Sequence, residues 1–69
     1  MPHHPSTQNL LDFFAYEHLP EKLQKVSKPC GELAHAMASE LPSSAELTVG
    51  LRKLLEAKDC FVRASLEPK

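Results

Sequence analysis

The segment Phe14-Ala15-Tyr16-Glu17-His18 sets an aromatic ring and an imidazole just ahead of Pro20, and Lys22, Lys25 and Lys28 follow at close spacing. Aromatic faces stack on nucleobases and ammonium groups neutralise phosphates, so this combination suits a nucleotide. The same residues also suit plain packing beside a solvated cationic face. A second polar group, Thr48, Arg52 and Lys53, recurs near the start of the last apolar segment, with Arg63 three turns further on. Ordinary surface charge explains that group equally well.

Signals for catalysis are weak. There is no Gly-rich phosphate loop, no His-Glu-x-x-His and no nucleophile beside an evident base, and His3, His4, His18 and His35 share no spacing pattern. The expectation is a protein that is not an enzyme. His3-His4 lies in a Pro-flanked start and makes a weak ligand set, so neither a metal nor a cofactor is expected. Cys30 and Cys60 are too few and too distant for a Cys-x-x-Cys motif or a disulfide framework. Each reads as a small buried hydrophobe on a helix, and a bridge between them requires that their helices be antiparallel neighbours.

The 69 residues carry eight Lys+Arg against nine Asp+Glu, a formal charge of −1. Sequence-blind binding of polymeric nucleic acid needs a broad basic face, which this balance does not supply. No apolar run approaches membrane-spanning length and the first twenty residues lack a signal-peptide pattern, so a soluble intracellular protein is expected. A chain this short rarely buries enough apolar surface alone and needs a supplement such as association.

The elements that must carry these residues are helices. Residues 1–7, with Pro2 and Pro5, read as a flexible tail, and folding is expected over 8–66 as one domain, with a frayed tail at 67–69. Leu10, Leu11, Phe13 and Phe14 mark a short first helix. Leu19-Pro20 breaks it, and Pro20 suits the first position of a second helix. Leu23, Val26, Cys30, Leu33, Met37 and Leu41 then recur at steps of three and four, one apolar face over about six turns. Pro29 lies inside this run without disturbing its phase, which predicts a bend at Ser27 to Pro29. Leu41-Pro42 ends it.

Ser43-Ser44-Ala45-Glu46 reads as a capping box in which Ser43 and Glu46 satisfy free amides. The third helix is expected from Ser44 to Leu66, with Leu47, Leu51, Leu54, Leu55, Phe61 and Val62 as its apolar stripe and Asp59–Arg63 as a supportive pair on the wet side. The turn is short, so the two long helices must be antiparallel. Gly31 and Gly50 fall inside helices, where each costs about 1 kcal/mol relative to Ala. Close helix–helix crossing, or room for a ligand or second subunit, is the expected compensation. The fold class is therefore all-α: a short N-terminal helix followed by a long antiparallel hairpin. Val49, Leu55, Val62 and the Leu10–Phe14 cluster exceed what one hairpin hides, which predicts a homo-oligomer.

Phe14-Ala15-Tyr16-Glu17-His18-Leu19-Pro20, then Glu32-Leu33-Ala34, then Leu41-Pro42, then Thr48-Val49-Gly50-Leu51-Arg52-Lys53-Leu54-Leu55-Glu56-Ala57-Lys58, resembles in order and spacing the small phage anti-CBASS family with a helical-hairpin sponge domain. The resemblance spans Phe13 to Ala64. It implies a homohexamer that holds cyclic dinucleotides, and in some members cyclic trinucleotides at separate sites, without cleaving them, so that CBASS effectors in the host bacterial cytoplasm receive no signal. It assigns Tyr16 to stacking on a base, Lys28 to a phosphate and Arg63 to a trinucleotide site, and it leaves the role of His18 open because Glu17 separates it from the tyrosine. The expected ligand-binding set is Phe14, Tyr16, His18, Lys28, Thr48, Arg52, Lys53 and Arg63. The competing expectation is a helical interaction module, a dimeric hairpin that binds a partner protein and no small ligand.

Overall fold

A computed structural model describes residues 5–67. Three helices account for it: α1 (Pro5–Asp12), α2 (Glu21–Glu40) and α3 (Ala45–Leu66), with no strand among the described residues. Helices α2 and α3 form a helical hairpin, and α1 packs on both.

Proline sets the starts of the first two helices. Pro5 opens α1, where its missing N–H costs nothing because no acceptor precedes it. The helix therefore begins inside the segment 1–7 expected as a tail, and Thr7 is buried in the interior. His3, His4 and the remainder of that tail, and Pro68-Lys69, lie outside the described residues. Thr7, Leu10, Leu11 and Phe14 follow at the three- and four-residue spacing of one face, and all four are buried. Tight bonds from Phe13 N to Leu10 O (3.1 Å) and Phe14 N to Leu11 O (3.0 Å) close the end of α1 and carry Phe14 into the core.

Pro20 precedes α2 with an extended ψ of 150° and no side-chain cap, while its carbonyl accepts from Leu23 N (2.9 Å) and Gln24 N (3.0 Å). The helix continues as one element through Pro29. Leu41, in extended geometry ahead of Pro42, ends it. The cap of α3 is Ser44, one residue beyond the expected Ser43: its Oγ accepts from Leu47 N at 3.1 Å.

The inward face of α2 differs from the one its apolar periodicity predicts. Ser27, Gly31, Ala34 and Ala38 are buried, whereas Leu33 is 48% and Leu41 49% exposed and Met37 is also open to solvent. At 3.6 residues per turn the two stripes lie about a quarter turn apart. The small stripe lets α1 and α3 approach the α2 backbone closely, and their own Leu10, Leu11, Phe14, Leu47 and Leu51 supply the bulk. On α3, Leu54, Leu55 and Val62 are half-buried and Phe61 faces outward. The anticipated Asp59–Arg63 pair is replaced: Asp59 pairs with Lys58 at 3.2 Å and Arg63 Nη2 donates to Cys60 Sγ at 3.3 Å.

Candidate functional site

The turn between α1 and α2 is held to α2 by one side chain. Gln24 Nε2 donates to the carbonyls of Leu19 (2.7 Å) and Glu17 (3.3 Å), and the Tyr16 carbonyl accepts from Leu19 N at 3.0 Å. This fixes Tyr16 half-buried against α2, where a Cβ built on Gly31 would meet Tyr16 Cδ2 at 3.4 Å and the Phe14 carbonyl at 3.0 Å. The glycine is thus required by close approach of the turn backbone, not by a crossing of helices.

Gln24, Lys28, Gly31 and His35 follow at steps of four, three and four, so they occupy one face of α2. The ring of Tyr16, the ammonium of Lys28 and the imidazole of His35 belong to that face or stand against it. Lys28, His35 and His18 are exposed, and Lys22, Lys25 and Lys28 form no ion pair among the described residues. An aromatic plane beside an uncommitted cation is the minimum needed to take a base and a phosphate together.

Other members of the expected set fall elsewhere. Phe14 is 1% exposed and is a core residue, so its ring offers no face to a ligand. Thr48 Oγ1 donates to the Ser44 carbonyl at 3.2 Å and reinforces the start of α3. Arg52 and Lys53 are both exposed, but adjacent helical positions diverge by about 100°, so they do not converge on one ligand. Arg52 and Arg63 share an α3 face with Thr48 and Asp59, at steps of four, seven and four. Gln24 and His35 were missed from sequence, and Gly31 was singled out there only as a helix-interior glycine needing compensation. The signal available was their four-three-four spacing around Lys28.

A second feature opens on the other flank of α2. Leu33, Met37 and Leu41 with Leu47, Gly50 and Leu54 wall an apolar groove of about 560 Å³ near the hairpin turn. A Cβ on Gly50 would meet nothing within 4 Å, so this glycine fills no helix crossing and leaves the groove floor open. Among the described residues no three His, Cys, Asp or Glu side chains gather as a metal site, and no helix is long and apolar enough to cross a membrane. Cys30 and Cys60 are free thiols, the first half-buried and the second exposed, so the burial expected of both fails for Cys60, which lies on the solvent side of α3. No known protein family, curated protein or solved structure matches this chain.

Proposed function

We propose that the chain sequesters cyclic oligonucleotide second messengers, cyclic dinucleotides first and cyclic trinucleotides at a second site, without cleaving them. The observation that carries this reading is the placement of Tyr16 on Gly31, on the α2 face that also bears Lys28. The resemblance of the Phe14–Pro20 element and the later helix motifs to anti-CBASS sponges supplies the ligand class, and with it immune evasion in the host bacterial cytoplasm. Tyr16 stacks on a base, Lys28 meets a phosphate, and His18 and His35 border the same surface. Phe14 acts from beneath, holding the turn in the core.

Competition with receptors needs affinity near nanomolar, about −12 kcal/mol, which one half-buried ring and one exposed lysine do not reach. A second copy closing over the first supplies the missing burial, excludes water and strengthens each cation–phosphate contact. A homohexamer provides several such clefts, and Arg63 with Arg52 on one α3 face is a second cationic surface for a trinucleotide.

Thermal unfolding with a panel of cyclic di- and trinucleotides tests the reading. A ligand that binds only folded protein at a thousand times Kd stabilises by about 4 kcal/mol. The ligand recovered after heating must be intact and cyclic. Absence of any shift across the panel overturns the reading, and linearised product points to an enzyme instead. The apolar groove favours a second reading, a dimeric interaction module that takes a partner protein's helix and no nucleotide.

A further inference from the structure

The α1–α2 turn is pinned at its two ends and clasped at one point between them. Phe14, buried in the core, brings its carbonyl to 3.0 Å from where a Cβ on Gly31 would stand, and Pro20 joins the turn covalently to α2. Between those ends Ala15, Glu17 and His18 are exposed, so packing does little to hold them. The bonds from Leu19 N to the Tyr16 carbonyl (3.0 Å) and from Tyr16 N to Glu17 Oε2 (3.3 Å) stay inside the turn. Among the described residues, Gln24 alone hydrogen-bonds residues 15–19 to α2: its Nε2 donates to the Leu19 carbonyl at 2.7 Å and to the Glu17 carbonyl at 3.3 Å. A carboxamide nitrogen carries two N–H groups, so one side chain serves both acceptors.

The clasp sits seven positions before Gly31, about 10 Å along the helix axis at 1.5 Å per residue, and Lys28 lies between them on the same face. The turn therefore runs along α2 across the level of Lys28, from the seat of Tyr16 at Gly31 to the clasp at Gln24. Gly31 itself has no side chain to retain the ring, whose Cδ2 would be 3.4 Å from a Cβ built there. With the clasp closed, ring and ammonium belong to one frame. With it open, residues 15–19 are free to leave the helix and take the ring away from the cation.

We infer that Gln24 is the positioning residue of the nucleotide site: its carboxamide holds Tyr16 on Gly31 in the ligand-free protein, so that a base meets a ring already set in register with Lys28. The ligand rests on the cyclic-nucleotide reading above, whereas the seating of the ring does not. Gln24 acts through Tyr16 and touches no nucleotide. A ligand that requires the seated ring binds more weakly in proportion to the fraction of molecules in which the ring is seated, so a tenfold fall in that fraction is a tenfold fall in affinity. An unclasped turn must also be ordered as the ligand arrives, which opposes binding further.

The chain has one tyrosine and no tryptophan, so tyrosine emission and the long-wavelength part of the near-UV circular dichroism report Tyr16 alone. The test compares the full-length parent with three variants. Gln24→Met keeps the length and deletes both donors, Gln24→Glu turns an acceptor toward two acceptors, and Gln24→Lys keeps a multiple donor. Far-UV circular dichroism is the control for folding, and cyclic di-AMP, cyclic di-GMP and cyclic GMP-AMP are titrated into each protein. Without ligand, the parent shows high tyrosine anisotropy and a strong dichroic band. Gln24→Met and Gln24→Glu lower both with helicity retained and weaken capture about tenfold, while Gln24→Lys restores the anisotropy and the band. A ring signal unchanged in Gln24→Met and Gln24→Glu, capture unchanged where that signal falls, or no recovery in Gln24→Lys overturns the inference. A parent whose ring signal depends on Gln24 but which captures none of the three nucleotides overturns the sponge reading instead, and leaves the seating of Tyr16 in place.

Discussion

The backbone carbonyl of Phe14 lies 3.0 Å from the point where a Cβ on Gly31 would stand. That approach is the contact between the α1–α2 turn and the middle of α2, and it ties the core residue Phe14 to the half-buried ring of Tyr16. Gly31→Ala forces either the carbonyl or the helix to move by a few tenths of an ångström. It is expected to lower stability by about 1–2 kcal/mol, the strain exceeding the gain in helix propensity of about 1 kcal/mol. Chemical denaturation measures the loss, and a more stable variant would refute the contact.

Gly50→Ala should act with the opposite sign. Nothing lies within 4 Å of its missing Cβ, so only the propensity gain remains, about 0.8–1 kcal/mol, or roughly 4–8 °C in Tm for a domain of this size. A lower Tm would show that the space beside this glycine is not open.

Phe14→Ala and Tyr16→Ala separate the roles of two neighbouring rings. The first removes a ring that is 1% exposed and costs about 3–5 kcal/mol, much of the stability of so small a domain. The second removes a half-buried ring, costs about 1 kcal/mol, and abolishes the nucleotide-induced rise in Tm. Equal losses of stability with nucleotide response intact would remove Tyr16 from the site.

Ser27 Oγ is buried without a hydrogen-bond partner among the described residues. Ser27→Ala removes an unsatisfied polar atom and improves helix propensity, so stability should rise by about 1 kcal/mol. Thermal melts decide this directly, and a fall in Tm would mean that the hydroxyl is satisfied in solution.

Lys58 Nζ donates to the Phe13 carbonyl at 3.2 Å, closing α1 onto α3, and its side chain is largely covered. Lys58→Met keeps the aliphatic stem and deletes the bond, for an expected loss of about 1 kcal/mol. Arg63→Met, at an exposed site bonded among the described residues only to Cys60 Sγ, is expected within about 0.5 kcal/mol of the parent. Urea titration of both compares a contact between elements with one inside a helix.

The order of elements was legible because proline, serine caps and three-four periodicity act through the local backbone. Leu19-Pro20 and Leu41-Pro42 bound α2 by sterics within one or two residues, whereas Lys28-Pro29 lies inside the same helix without ending it. Tyr16 and Lys28 were legible as candidates by chemical type, but their shared face depends on where the turn docks, which Gly31 settles through a contact across elements.

Which side of α2 faces inward was decided only by tertiary packing. Periodicity ranks faces by hydrophobicity and points to Leu33, Met37 and Leu41, yet α1 and α3 bring large side chains of their own. They seat closest over Ser27, Gly31, Ala34 and Ala38, where dispersion contacts are densest. Hydrophobic strength is a property of the residue and is written in the chain. Room for a neighbour is a property of two surfaces at once, and that is why the larger residues of α2 stand outside.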